Sequence, residues 1–180
     1  MNPGPRYQAS DFDALAMYRA MDARRTELGL SWKGVADALW EQSALLNAQR
    51  NDHPISSSTL TGIAKRRDCT CQHALFILRW LGEAPEHFVD GARDTTDARL
   101  PDVGSDRRLR WDLKALYEAL DEERRAQELT WVALAEQIGC TSHQLTGIKT
   151  ARYAIGMVLA MRIVQWLERP AAAFISAARW

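Results

Sequence analysis

The sequence predicts an all-α fold made of two tandem copies of one helical unit. Three observations lead to this prediction. Apolar residues recur at every third or fourth position, which is typical of one buried helix face, whereas no segment alternates polar and apolar residues for long enough to favour a sheet. The same apolar pattern occurs twice along the 180 residues. A segment rich in charged and turn-forming residues separates the two occurrences.

The internal repeat is visible when the sequence is compared with itself. At an offset of 99 residues, Leu30-Ser31-Trp32 lies on Leu129-Thr130-Trp131. The offset then falls to 85, where Leu60-Thr61-Gly62-Ile63 lies on the identical tetrapeptide Leu145-Thr146-Gly147-Ile148, and it becomes 86 near the end of the unit. The change of 14 residues indicates an insertion in the first copy, over residues 40–55.

The repeat divides the chain into four predicted parts. Residues 1–10, with two prolines and a glycine, form a flexible tail. The first unit spans residues 11–91, a flexible connector spans 92–109, and the second unit spans 110–177. Each unit is expected to contain four or five helices.

The second unit contains the pattern of a helix-turn-helix motif. A helix is predicted over residues 131–138, with the small residue Ala135 midway, and a second helix begins near Ser142. Gly139 suits the tight turn because it tolerates positive φ, and Cys140 offers an apolar plug at the corner.

The residues from Leu129 to Ile148, LTWVALAEQIGCTSHQLTGI, resemble the bihelical core of the phage-repressor-like, or XRE, family of helix-turn-helix regulators. The resemblance extends over residues 112–175, and residues 12–89 are similar apart from the insertion. It implies lambda-repressor-like domains and a cytoplasmic, nucleoid-associated protein that binds double-stranded DNA sequence-specifically to regulate transcription. A homodimer or larger assembly is the expected form.

The resemblance also implies where DNA would be contacted, because the second helix of this motif enters the major groove by its N-terminal residues. The base-reading candidates are Ser142, His143, Gln144 and Thr146 in the second unit, and Ser57, Ser58 and Thr61 in the first. The phosphate-contact candidates are Thr141, Lys149 and Arg152 in the second unit, and Lys65, Arg66 and Arg67 in the first. None of the base-reading candidates offers the bidentate contact that arginine makes to guanine.

Charge is distributed unevenly although the formal net charge is zero. Residues 111–137 hold seven acidic and three basic residues, whereas residues 141–169 hold four basic residues and Glu168. Between Ser58 and Trp80 the first unit holds four basic residues and one acidic residue: Lys65, Arg66, Arg67 and Arg79, with Asp68. These counts predict a basic end in each unit and an acidic back, as attraction to phosphate requires. The alternative interpretation is that basic residues near a helix C-terminus only stabilise the helix dipole.

The insertion leaves two hypotheses open. Residues 40–50 are predicted to extend the preceding helix by nearly three turns, with an apolar stripe formed by Trp40, Ala44, Leu45 and Ala48. This stripe either contacts the second unit, a second chain or a partner protein, or packs back on its own unit. The insertion and the weak base-reading set favour a rival function, in which a degenerate helix-turn-helix module binds a partner protein instead of DNA.

The sequence offers no motif for catalysis, a cofactor or a metal, so we expect no enzyme. Cys69-Thr70-Cys71-Gln72-His73 lacks the paired spacing of zinc ligands, which favours buried cysteines at a helix start. No apolar run is long enough to span a bilayer. The N-terminus lacks the pattern of a secretory signal, and an odd number of cysteines favours a reducing compartment.

Overall fold

The computed structural model describes residues 9–91, 98–150 and 155–179, and within these ranges the chain is mostly helical. This confirms the all-α prediction at the level of fold class. The first half contains five helices: α1 (Ala14–Glu27), α2 (Trp32–Glu41), α3 (Ala44–Asn47), α4 (Ser57–Arg66) and α5 (Cys71–Leu81). A short 3-10 helix over Pro85–Phe88 follows.

The second half begins with a short strand and then repeats the helical order. Its elements are β1 (Arg108–Trp111), α6 (Leu113–Ala126), α7 (Trp131–Ile138), α8 (Ser142–Gly147), α9 (Met157–Trp166) and β2 (Ile175–Ala178). Two 3-10 helices, Ile148–Thr150 and Ala171–Phe174, follow α8 and α9 respectively. Among the described residues, no helix combines the length and the apolar character needed to cross a membrane.

Corresponding residues of the two halves make the same contacts. Tyr18 stacks on Trp32 with 5.3 Å between ring centroids, and Tyr117 stacks on Trp131 at 5.6 Å. The pairs correspond at the offset of 99 residues, so the repeat in the sequence is also a repeat in packing. The four tryptophans at equivalent places are buried or pack against the core, as predicted: Trp32, Trp80, Trp131 and Trp166.

A two-stranded antiparallel sheet is the one departure from the all-helical expectation among the described elements. Strand β1 pairs with β2, and Trp111 lies opposite Ile175. In the first half the corresponding residues, Phe12 and Val89, form an isolated antiparallel bridge. The strands have four residues each, which is the shortest run over which alternation indicates a strand.

The insertion does not extend α2, which corrects the sequence prediction. Helix α2 ends at Glu41, and α3 is a separate helix of four residues. The side-chain amide of Asn47 donates to the Trp40 carbonyl oxygen at 2.6 Å, so a carbonyl in the last turn of α2 already has a partner. Leu45 is 64% exposed, whereas Trp40 is buried. The expected apolar stripe therefore does not form one surface.

The connector was expected to be flexible, but its described residues are held by hydrogen bonds. The Arg79 guanidinium donates to the Val103 carbonyl oxygen at 2.7 Å, and the Leu46 N–H donates to the Ser105 carbonyl oxygen at 3.1 Å. The last two connector residues, 108 and 109, belong to β1 instead and are buried. Residues 92–97 lie outside the described part of the chain. The insertion therefore packs on this chain's own connector.

The two halves meet where α5 and α9 begin. Thr70 is the N-cap of α5, Gly156 is the N-cap of α9, and the two residues form an isolated antiparallel bridge. They correspond to each other at the offset of 86 residues. Each half therefore contributes the same position of the repeat to the contact.

The hydrogen bonds of this bridge are reciprocal. The Cys71 N–H donates to the Ile155 carbonyl oxygen at 2.7 Å, and the Met157 N–H donates to the Cys69 carbonyl oxygen at 2.8 Å. Cys71 corresponds to Met157 and Cys69 to Ile155, so exchanging the halves turns one bond into the other. At this contact the two units are related by a local two-fold axis.

Candidate nucleic-acid interface

Helices α4 and α8 each bury one narrow edge, and their other residues are half-buried or exposed. Leu60 and Ile63 are buried on the inner edge of α4, and Leu145 on that of α8, with Ile148 just beyond the helix end. Helix α4 packs against α2, and α8 packs against α7. Because α2 and α4 remain in contact, the insertion lies outside the helix pair and does not separate its helices.

The turn between α7 and α8 has the expected geometry. Gly139 adopts the left-handed conformation with φ 77°, and Ala135 is buried midway along α7. The half-buried Cys140 packs against the core, and its N–H donates to the Ala135 carbonyl oxygen at 3.0 Å. Glycine is favoured at this turn because side chains are strained at positive φ.

Three of the four base-reading candidates in the second unit are exposed, and Ser142 is half-buried. Thr141 and Gln144 form a capping box, in which the Gln144 side-chain oxygen accepts from the Thr141 N–H at 2.9 Å. The Thr146 hydroxyl donates to the Ser142 carbonyl oxygen at 3.1 Å. Among these four candidates, the side chains of Ser142 and His143 make no bond within α8, and His143 is the exposed one of the two.

The candidates in the first unit repeat this arrangement. Ser58 and Thr61 are exposed and Ser57 is half-buried. The Thr61 hydroxyl donates to the Ser57 carbonyl oxygen at 3.0 Å, as Thr146 does in α8. Ser56 caps the helix by accepting from the Thr59 N–H, and its hydroxyl lies 2.9 Å from that of Ser58. The first turn of α4 therefore presents a cluster of hydroxyls.

The basic cluster at the end of α4 is exposed, but its three members differ in conformation. Arg66 turns back on its own helix, where it donates to the Thr59 carbonyl oxygen at 3.3 Å and lies against Gly62. Arg67 is the C-cap and adopts the left-handed conformation with φ 54°. Lys65 lies in the last turn of the helix. This cluster places positive charge at the C-terminal end of α4.

The phosphate-contact candidates of the second unit are only partly described. Thr141 and Lys149 are exposed. Arg152 lies outside the described residues. Gly147, the counterpart of Gly62, has nothing within 4 Å of an added Cβ, so the two equivalent glycines face different surroundings.

Two basic residues counted toward the basic ends are instead bonded within the chain. Arg162 pairs with Asp11 at 2.6 Å and donates to the Gly139 carbonyl oxygen at 2.7 Å. Arg79 binds the connector, as described above. The exposed basic surface is therefore smaller than the charge count along the sequence predicts, because these guanidinium groups stabilise contacts between segments.

Cys69 and Cys71 are buried at the start of α5, as the sequence predicts. Burial raises the pKa of both thiols from the ordinary 9.0 to about 12. The thiolate is the form that binds metals and reacts. Both residues therefore serve the contact between the halves, where their backbone groups form the reciprocal hydrogen bonds.

Asp68 is a positioning residue that the sequence analysis missed. Its Oδ1 accepts from the Val158 N–H at 3.2 Å, and Val158 lies in the first turn of α9 in the other half. The N-cap of α9 is Gly156, which makes no side-chain cap. A glycine at this position was the only sequence signal that the cap comes from elsewhere.

Comparison with known proteins finds no matching protein-family model, no matching curated protein and no matching solved structure. The features that bear on function are the exposed polar residues of α4 and α8, their capped N-termini and the contact between the halves.

Proposed function

We propose that this protein is a sequence-specific double-stranded DNA-binding transcriptional regulator with two tandem helix-turn-helix domains of the phage-repressor-like type. In this proposal α4 and α8 are the recognition helices. The observation that carries it is that each helix buries an apolar edge, packs on the first helix of its motif (α2 for α4, α7 for α8) and exposes polar residues in its first turn. That arrangement is the one required of a helix that enters the major groove.

The local contacts support this role because they fix each helix end. Thr141 with Gln144 caps α8, and Ser56 caps α4. A capped helix start presents its first turn in one orientation, which base recognition needs. Hydroxyl and imidazole groups in that turn can donate to or accept from base edges, although less specifically than a bidentate arginine.

The exposed charges support phosphate binding at the ends of these helices. Lys65, Arg66 and Arg67 follow α4, and Lys149 follows α8. Phosphate contacts position a protein on the duplex, whereas contacts to base edges provide the sequence preference. In this proposal the basic cluster supplies affinity, and His143 and the hydroxyl residues supply specificity.

A protein-interaction module is the second candidate function. The observation in its favour is that three base-reading candidates already form hydrogen bonds within their own helices, which leaves fewer polar atoms for bases: Thr61, Thr146 and Gln144. Such a module would keep the fold but bind a partner protein. Its binding to DNA would be weak at every salt concentration.

A salt titration separates the two functions. We expect a fluorescent duplex of mixed sequence to bind the full chain with an affinity that falls steeply between about 50 and 200 mM salt, because each phosphate contact adds about 0.9 to the slope of log K against log salt. Lys65→Ala with Arg67→Asn should reduce that slope by about two units. Asparagine is chosen because it tolerates the left-handed conformation at Arg67.

The matched control is Lys114→Ala with Arg125→Ala. These two residues lie on α6, are largely exposed and pair only with neighbours on their own helix. The control should leave the salt slope unchanged, which separates phosphate contacts from a general loss of positive charge. A chain that binds no duplex even at the lowest salt concentration would instead favour the protein-interaction module.

A further inference from the structure

We infer that one chain recognises one duplex with both of its halves, and that the DNA site is an inverted repeat with two chemically different half-sites. This inference rests on the proposed function and adds the form of the substrate and the stoichiometry. A tandem repeat in sequence suggests two DNA-binding halves, here called heads, that point in the same direction along the duplex. The contact between the halves indicates that the two heads point in opposite directions.

The direction follows from the bridge between Thr70 and Gly156. Equivalent residues pair with each other in antiparallel fashion, and the two hydrogen bonds of the pair exchange when the halves are exchanged. A repeat related by translation cannot make such a reciprocal contact. Two recognition helices related by a two-fold axis meet half-sites of opposite direction, as in dimers that bind palindromic operators.

The spacing between the half-sites is fixed because further contacts lock the halves together. The Gln165 side chain binds both the N–H and the carbonyl oxygen of Ser10, at 3.1 and 2.8 Å. The Glu86 carboxylate accepts from the Ala171 N–H at 2.7 Å. These contacts join α9 to the segment before α1, and the first half to the last 3-10 helix, so they oppose independent movement of the second half. One chain therefore supplies both heads, and no second copy is needed.

Helix α4 ends near the two-fold contact. Arg66 ends α4 four residues before Thr70, a distance of at most about 14 Å along the chain. The cluster of Lys65, Arg66 and Arg67 therefore lies toward the middle of the site. In this arrangement phosphate contacts near the centre of the DNA site hold the duplex between the two heads. The first turns of α4 and α8 then contact the bases.

The two half-sites differ because equivalent positions carry different side chains. Ser58 of α4 corresponds to His143 of α8 at the offset of 85 residues, and both are exposed. A serine hydroxyl and an imidazole do not select the same base edge. Helix α4 has ten residues and ends in the basic cluster, whereas α8 has six. The two recognition helices therefore present different side chains to the duplex.

Selection of duplexes from a randomised library by the full chain tests this inference. We expect enriched sequences with two unequal half-sites in opposite orientation at one spacing, and native mass spectrometry should find one chain on each duplex. His143→Ser gives α8 the residue of α4 at this position. It should change the selected bases in one half-site only, while Ser58→His changes the other half-site.

Lys114→Ala is the control for these substitutions and should leave the selected sequence unchanged. Direct repeats, two chains on a symmetric site, or equal changes in both half-sites with His143→Ser would each overturn the inference while leaving DNA binding intact. A library that yields no enriched sequence would overturn the proposed sequence-specific function and this inference with it. Because Ser58 and His143 are exposed, we expect both variants to fold like the native chain. An unchanged circular dichroism spectrum checks this expectation.

Discussion

Asp68, in the first half of the chain, caps helix α9 of the second half by accepting a hydrogen bond from Val158. The Asp68 Oδ1 atom accepts the Val158 N–H at 3.2 Å and also accepts the N–H of the next residue, Cys69, at 2.8 Å. Helix α9 starts after Gly156, which has no side chain to cap it. One carboxylate therefore joins the segment after α4 to the start of α9 and links the two halves.

Asp68→Ala should destabilise the protein because it removes the cap of α9 and the contact between the halves. We expect the free energy of unfolding in urea to fall by about 1 kcal/mol, the usual loss for an N-cap. Asp68→Asn keeps a side-chain acceptor and should lose less. Asp90→Ala, at an exposed position, should change stability by less than about 0.5 kcal/mol. Equal stability of Asp68→Ala and the native chain would show that this hydrogen bond contributes nothing.

Asn47 and Arg108 should be coupled energetically. The buried Arg108 donates to Asn47 Oδ1 at 2.7 Å, its guanidinium lies 4.9 Å from the Trp40 ring centroid, and burial lowers its pKa to about 10. Asn47→Ala removes the partner of a buried charge and should cost about 2 kcal/mol.

Arg108→Met removes that charge and fills part of the same space. In the Asn47→Ala background it should therefore cost less than in the native chain, and urea denaturation of the four proteins measures the difference. Additive losses would mean that the two side chains do not interact.

The buried thiols should make the fold sensitive to alkaline pH. The pKa of Cys69 and Cys71 is about 12 in the folded state against an ordinary 9.0. Because the folded pKa is raised, the stabilisation is complete below pH 9 and is lost as the pH rises from 9 toward 12. Each thiol contributes a slope approaching about 1.4 kcal/mol per pH unit in that window.

Urea midpoints measured between pH 7 and 10.5 test this expectation. The Cys69→Ala, Cys71→Ala double variant should be less stable at pH 7 because it loses buried volume, but its stability should decline less above pH 9. The stability of the Cys140→Ala variant should decline above pH 9 almost as much as that of the native chain, since Cys140 is only half-buried. Identical slopes for the double variant and the native chain would contradict the assignment.

Arg79 should protect the described part of the connector from proteolysis. Its guanidinium donates to the Val103 and Gln42 carbonyl oxygens at 2.7 and 2.9 Å. Arg79→Gln should loosen residues 98–107, so trypsin should cleave after Arg99 and Arg107 several-fold faster. Arg169→Gln, on the exposed surface, is the control and should leave the cleavage rate unchanged. Mass spectrometry of a time course identifies the sites.

Arg67 should lower the stability of the fold while it contributes to DNA binding. Its left-handed conformation, φ 54°, strains a residue that has a Cβ atom. Arg67→Gly should therefore raise the free energy of unfolding by about 0.5–1 kcal/mol, while the slope of DNA affinity against salt falls by about one unit.

Glu168→Gly provides a matched control, because Glu168 is also left-handed, at φ 52°, and follows α9 instead of a recognition helix. It should stabilise the fold to a similar extent and leave the salt slope unchanged. A stabilised Arg67→Gly variant that binds DNA like the native chain would remove Arg67 from the phosphate contacts.

The sequence by itself determined the features that depend on residues close together in the chain. The caps at Ser31, Thr130 and Thr141, the turn at Gly139 and the buried edges of α4 and α8 follow from side chains within a few positions. The repeat itself could also be read directly, because both copies satisfy the same local packing pattern.

Only the tertiary structure decided the features that join distant segments. Asn47 accepts a hydrogen bond from Arg108, Arg79 binds the connector and Asp68 caps α9. In each case no sequence spacing identifies the partner. The two-fold relation between the halves is of the same kind, since two tandem units can be related by translation or by rotation with the same sequence pattern. The hydrogen bonds where α5 and α9 begin select rotation, because only that arrangement makes the two bonds of the bridge counterparts of each other.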